Sequence, residues 1–221
     1  METKRISLFP LPSSVYYPKT VLPLHIFEPR YRDMIAHSID TGQWIGLVLL
    51  EPGYEQEYFG GPAVKTVGCA GNLEKWDRLD DGKYNIILRG QSRFRIVREV
   101  GDRPFREAEV ELLPSVNDRP FAENDPEITR LMNTYQQFIK LLPDNNPQNV
   151  ELELSESDSL GEVVDLLAYL SELPLNQQQQ LVEEPDVLKR HQTVMSHLQL
   201  KIAIVQKSKT LAKSGHDVRM N

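Results

Sequence analysis

The sequence predicts an α+β protein, a β-rich first half followed by a helical second half. Two observations carry this. Through about residue 118 apolar residues alternate with polar ones, and beyond it they recur every three or four positions. The change of period falls beside Pro114 and Pro120, so strands come first and helices afterwards. The expected division is an antiparallel β unit over 1–118, a helical unit over 119–213 ending in a long helix, and a disordered tail over 214–221.

Ile6, Leu8 and Phe9 open a strand, and Trp44 to Leu50 is a short apolar run between Gly42 and Pro52 that suits a buried one. Val64 to Leu73 is another, with Gly68 and Gly71 marking a bulge or a close backbone approach. Asp80-Asp81-Gly82-Lys83 reads as a hairpin turn. Tyr84, Ile86 and Leu88, then Phe94 and Ile96, then Ala108, Val110 and Leu112 alternate with polar residues, so Glu107, Glu109 and Glu111 are expected to be wet. One helix interrupts this half. Pro29 suits its first turn, Glu28 favours its positive end, and Tyr31, Met34, Ile35 and Ile39 form its stripe.

In the second half Asn124-Asp125-Pro126-Glu127 starts a helix with Ile128, Leu131, Tyr135, Phe138 and Leu142 on one face. Asp144 to Asp158 is polar and reads as a loop or linker. Ser159 with Glu162 forms a capping box before Val163, Val164, Leu167 and Leu170, and Pro174 ends that helix. Asn176 with Gln179 is expected to cap a short helix, and Asp186 to begin a long one with Leu188, His191, Val194, Met195, Leu198, Ile202 and Val205 on its apolar face. Eleven acidic residues and no Lys or Arg lie between Asp144 and Asp186, against seven Lys or Arg after it. Helical pieces of opposite charge that complement each other account for that split.

Composition narrows the function classes. The 221 residues are 40% hydrophobic and 26% charged, enough for a packed core and unlike a disordered chain. A single Cys excludes an intrachain disulfide and an all-Cys zinc site. The N-terminal Met1-Glu2-Thr3-Lys4-Arg5 has no signal-type apolar stretch, and Trp44 to Leu50 falls far short of the roughly 20 residues that cross a bilayer. The expected setting is the cytoplasm, with no membrane partner. A net charge of −7 argues against bulk nucleic-acid binding.

No catalytic constellation emerges. Gly82-Lys83 lacks the rest of a P-loop, and neither Gly-x-Ser-x-Gly nor His-Glu-x-x-His occurs. Cys69 lies in a small apolar strand and reads as a buried thiol. Asp33 and His37 supply two metal ligands at most, His191 reads as a satisfied core histidine, and Asp77, Asp80 and Asp81 are explained by a turn. The expectation is a protein that is not an enzyme and has no cofactor or metal. Two binding candidates remain. Arg89, Arg93 and Arg95, within a cluster reaching Arg106, could meet phosphates, since Arg93 and Arg95 share the wet strand face; cross-strand pairing with Glu107, Glu109 and Glu111 is the preferred reading. Tyr54, Tyr58 and Phe59 stand on a loop bounded by Gly53, Gly60 and Gly61, as core plugs or as anchors for a partner.

The order of the motifs is more informative than any one. Leu8-Phe9-Pro10-Leu11, Leu22-Pro23-Leu24-His25-Ile26-Phe27-Glu28-Pro29-Arg30-Tyr31, Val67-Gly68-Cys69-Ala70, Asp81-Gly82, Leu88-Arg89-Gly90 and Arg93-Phe94-Arg95-Ile96 resemble, in sequence order, the N-terminal domain of the ATP-dependent Lon proteases. Leu173-Pro174, Gln180-Leu181, Glu184, Asp186, Leu188 and Arg190 continue the resemblance through about residue 205. It implies a PUA-like pseudo-barrel of about six strands followed by a helical bundle, as a stand-alone member without the ATPase and peptidase modules. Phe27, Glu28, Pro29, Arg30, Tyr31, Gly68, Gly82 and Gly90 carry over as fold determinants. The implied function is a non-catalytic polypeptide-binding module, an adaptor or chaperone-like factor whose partners are unfolded or partly folded polypeptides and a full-length Lon protease. The alternatives are RNA binding through the arginine cluster and small-molecule sensing.

Overall fold

The computed structural model describes residues 3–56, 60–120, 125–143 and 158–217. Six strands, β1 (Lys4–Leu11), β2 (Val21–Ile26), β3 (Ile45–Leu49), β4 (Val67–Arg78), β5 (Tyr84–Val100) and β6 (Glu107–Leu113), share one sheet in the order β2-β5-β4-β3-β1-β6. β5 also pairs with β6, which closes β5, β4, β3, β1 and β6 into a ring with β2 on its outside. The 17 residues of β5 permit this, because Tyr84–Arg89 pair with β2 and Arg93–Val100 pair with β6. The sheet is mixed, which corrects the all-antiparallel expectation: β1 and β3 run parallel, with α1 (Pro29–Thr41) between them in the chain. A parallel pair needs such a crossover, and periodicity alone cannot reveal it.

Ile6, Leu8, Val48, Ala70, Phe94, Ala108 and Val110 fill the ring. Phe94 needs room, and glycine supplies it: a Cβ on Gly46 would lie 2.8 Å from the Phe94 ring, and one on Gly68 2.2 Å from the Leu47 carbonyl oxygen. The register slips between Ala70 and Gly71, where the sequence suggests a bulge. Gly82 turns the β4–β5 hairpin at φ 77°. β2 is not evident from the pattern, since Pro23 interrupts it. An edge strand with one unpaired side tolerates a proline that a central strand does not.

Two positions on β6 depart from simple alternation. Leu112 is exposed, while Glu107 is 2% exposed and not wet. Arg5 reaches it at 2.7 Å, Arg103 at 3.3 Å and the Gln43 amide at 3.1 Å. Burial pushes the Glu107 carboxyl up, but the hydrogen bonds from Arg5 and Gln43 outweigh it and hold the group below its ordinary value.

The chain divides into two compact units, 1–116 with 174–185, and 117–173 with 186–221. The first therefore includes α4 (Leu175–Glu183), which periodicity alone groups with the other helices. The Gln179 amide donates to the Val67 carbonyl at 3.1 Å, and Tyr17 Oη donates to the Gln178 carbonyl at 3.0 Å, tying α4 to the barrel. Gln179 is thus unavailable for the expected Asn176 cap; Pro174 occupies the N-cap position instead.

The second unit holds α2 (Pro126–Ile139), α3 (Leu160–Leu170) and α5 (Val187–Asp217), with α5 packed on the other two. Asp125 caps α2 through the Glu127 and Ile128 amides, and Arg119 holds it at 2.8 Å. The Ser159–Glu162 capping box forms at α3. Leu188, expected on the apolar face of α5, is exposed, and Arg190 is 0% exposed instead, 3.2 Å from a buried Asp165. His191 is only half-buried, and its Nε2 has no hydrogen-bond partner among the described residues. Of the charge split, Lys201 and Glu172 meet at 3.7 Å. The helix runs on through Asp217, past the point where the tail was expected to begin; residues 218–221 and most of the expected 144–158 loop lie outside the described residues.

Candidate functional site

Two apolar surfaces of the first unit flank the Phe27-Glu28-Pro29-Arg30-Tyr31 segment. The first is the outer face of β2, where Val21, Pro23, His25 and Phe27 follow one another at a period of two and are all exposed. Phe27 is 60% exposed although it belongs to the motif read as a fold determinant. Its ring stacks on His25 at 6.4 Å, and His25 Nδ1 donates to Asn85 Oδ1 at 2.8 Å, so the imidazole is held in place beneath it.

The second surface is a cleft of about 230 Å³ lined by Pro10, Tyr31, Leu50, Pro62 and Phe105, with Arg30 and Arg106 among its walls. Pro29 sets the first turn of α1 and so aims Tyr31 inward, where its ring meets Phe9 at 4.4 Å. Glu28 makes no capping bond; it accepts from Arg30 Nε at 3.0 Å, and the Arg30 guanidinium lies 4.6 Å over the Tyr31 ring. Arg106 grips Glu99 and donates to the Pro62 carbonyl at 2.7 Å. Both guanidiniums meet carboxylates of their own, and the cleft has prolines, Leu50 and two aromatic rings for the larger part of its wall. Its volume is below the roughly 300–1,000 Å³ of a small-molecule site and suits one side chain.

The other candidates separate. Tyr54 is half-buried in a single 3-10 turn, whereas Tyr58 and Phe59 lie outside the described residues. Arg89 is held by Glu74 at 2.7 Å, and Arg98 meets Glu109, the cross-strand pairing anticipated for the cluster. Arg93 and Arg95 do not share a wet face: Arg95 is exposed, but Arg93 is 3% exposed, opposite Cys69 and Leu113 where β5 is paired on both sides. Gly90 is structural, since a Cβ there would sit 2.1 Å from the Tyr17 carbonyl oxygen. Cys69 is buried, and no group of three or more potential metal ligands occurs among the described residues. No described helix is long and apolar enough to cross a membrane. Phe105 and Pro62 were missed as candidates, because the cleft gathers residues from separate stretches and no local pattern marks them.

A closed barrel with apolar surfaces left outside its core, joined in one chain to a helical unit, defines a binding module. The chain belongs to the ATP-dependent protease La (LON) substrate-binding domain family, whose model matches residues 5–199. It is 26% identical over 203 residues to the Lon protease of Anaeromyxobacter dehalogenans, covering 92% of this chain and 24% of that protein. The Lon protease 2 of Myxococcus xanthus gives the same identity and coverage, 26%, 92% and 24%. The chain thus spans about a quarter of the length of these curated relatives, and what it matches is their non-peptidase part. A Lon N-terminal domain protein from Xanthomonas campestris superposes with a TM-score of 0.63 at 26% identity, over 87% of this chain and 98% of that one. The N-terminal domain of a Mycobacterium avium complex Lon protease shares the fold, with a TM-score of 0.62 at 17% identity over 89% of this chain and 98% of that one.

Proposed function

We propose that this chain binds unfolded or partly folded polypeptide in an extended form, as an adaptor or chaperone-like module. One observation carries the reading: Phe27, 60% exposed, continues a row of exposed β2 residues instead of packing inward. A contiguous row of exposed apolar residues ending in a large aromatic ring offers area that a partner can bury. The cleft beside Tyr31, a few residues along the same segment, would take one apolar side chain of the bound chain. A full-length Lon protease is the partner that the family relationship favours.

The test is fluorescence anisotropy with a labelled, reduced and permanently unfolded model protein. Phe27→Ser should raise Kd about tenfold, the equivalent of about 1.4 kcal/mol, with the melting midpoint unchanged because the ring is not in the core. Binding should persist as salt rises, since apolar contacts are not screened. Unaltered affinity in Phe27→Ser would remove this face from consideration.

A further inference from the structure

Leu200 and Ile204 of α5 are 59% and 55% exposed and lie one turn apart, so they share a helix face. Leu198 and Ile202, buried within the second unit, occupy the opposite face. The Arg190–Asp165 pair and buried Val194 fix the rotation of α5, so the outer face cannot turn inward to hide these side chains. Thr193, Ser196, Leu200, Ile204 and Lys207 are all exposed and follow at steps of three and four, the spacing of a seam for one partner helix. The seam is narrow, with polar Gln199 and Gln206 beside it, and unlike the broad apolar face by which a helix lies in a lipid surface.

Charge specifies the occupant. From Val187 to His216 the helix has no Asp or Glu, and Lys189 and Lys207 stand exposed at the two ends of the seam, in a chain whose net charge is −7. A second copy laid along the same seam would bring lysines against lysines. We propose that this face of α5 docks an acidic amphipathic helix of another polypeptide, its apolar side chains over Leu200 and Ile204 and its carboxylates toward Lys189 and Lys207. This surface is independent of the β2 face and of the polypeptide-binding reading.

The experiment uses the full chain and a fluorescein-labelled 21-residue helical probe with Leu at the seam positions and Glu and Ala elsewhere. The Glu probe should bind, its counterpart with Lys for every Glu should bind at least tenfold more weakly, and added salt should narrow that gap. Leu200→Ser/Ile204→Ser should weaken the Glu probe at least tenfold with an unchanged melting midpoint, and Lys207→Glu should weaken it severalfold. Phe27→Ser should leave it unchanged, which keeps this test separate from the unfolded-client assay. Equal binding of both probes, or indifference to Leu200→Ser/Ile204→Ser, would overturn the proposal. So would self-association by sedimentation that the same double variant abolishes, or retention on phosphatidylglycerol vesicles without binding of the Glu probe.

Discussion

The two units bury charge in different ways. In the barrel, Glu107 is 1% exposed by its side chain, but its partners Arg5 and Arg103 are 53% and 47% exposed and reach it from solvent. In the helical unit both members of the Arg190–Asp165 pair are sunk, at 0% and 3%. A charge met by solvated arginines remains partly screened, whereas a pair removed from water on both sides depends on protein groups in place of solvent. The barrel draws its definition from backbone close approaches instead. Gly46, Gly68, Gly71 and Gly90 stand where a Cβ would collide with a ring or a carbonyl. Steric exclusion fixes the first unit, and caps with a buried ion pair fix the second.

The largest expected effect tests the steric half of that contrast. Gly90→Ala places a methyl 2.1 Å from the Tyr17 carbonyl oxygen, a backbone atom that cannot swing aside as a side chain can. The loss should be about 4 kcal/mol or more in a denaturant melt, enough to unfold many domains outright. A midpoint equal to that of the unmodified protein would show that the barrel is plastic and that the contrast is drawn in the wrong place.

Next comes the pair at Arg190. Arg190→Met alone takes the buried Asp165 carboxylate out of its ion pair and should cost about 3–5 kcal/mol, while Arg190→Met/Asp165→Leu should recover most of it. Arg103→Ala, which leaves Glu107 with Arg5 and Gln43, should lower the midpoint several times less. Similar losses for Arg190→Met and Arg103→Ala would erase the distinction between the units.

The smallest effect separates the units by pH. Burial, with Lys201 adding to it, depresses His197 below its ordinary value of 6.5 despite its bond to the Ser171 carbonyl. The unfolded chain then takes up the proton first, so this contribution is complete above pH 6.5 and is lost progressively below it. Glu107 is depressed below 4.5, so its contribution is complete above that pH and lost only on further acidification. Native-state hydrogen exchange should find α3 and α5 weakening as the pH falls below 6.5 while β1 and β6 hold until below pH 4.5. His197→Gln should flatten the first step, and loss of both units in a single step would contradict this.

Much of the fold was legible because its signals are local. Asp125, the Ser159–Glu162 box, the Gly82 turn and the Tyr84–Ile86–Leu88 alternation each act within a few residues, and each stands where the pattern puts it. What escaped depends on distant partners. Pro23 looks like a strand breaker until β2 is seen to be an edge. Arg190 looks solvated until Asp165 on another helix is placed beside it, and Glu107 looks wet until Arg5 arrives from β1. The candidate site divides likewise. The helical stripe already points Tyr31 inward, but nothing in the pattern of the Phe27–Tyr31 segment tells that Phe27 faces outward.

The placement of α4 decides how the chain can be divided and in what order it becomes complete. The path crosses between units after residues 116, 173 and 185, so no single cut frees either one. A fragment ending near 118 would remove Gln179 from the Val67 carbonyl and take Gln178 from Tyr17, opening one wall of the barrel. During synthesis the barrel strands would leave the ribosome early and still await their last helix until residue 185 had emerged, by which time α2 and α3 would already be available to fold. The first unit to begin is therefore not finished before the second is under way.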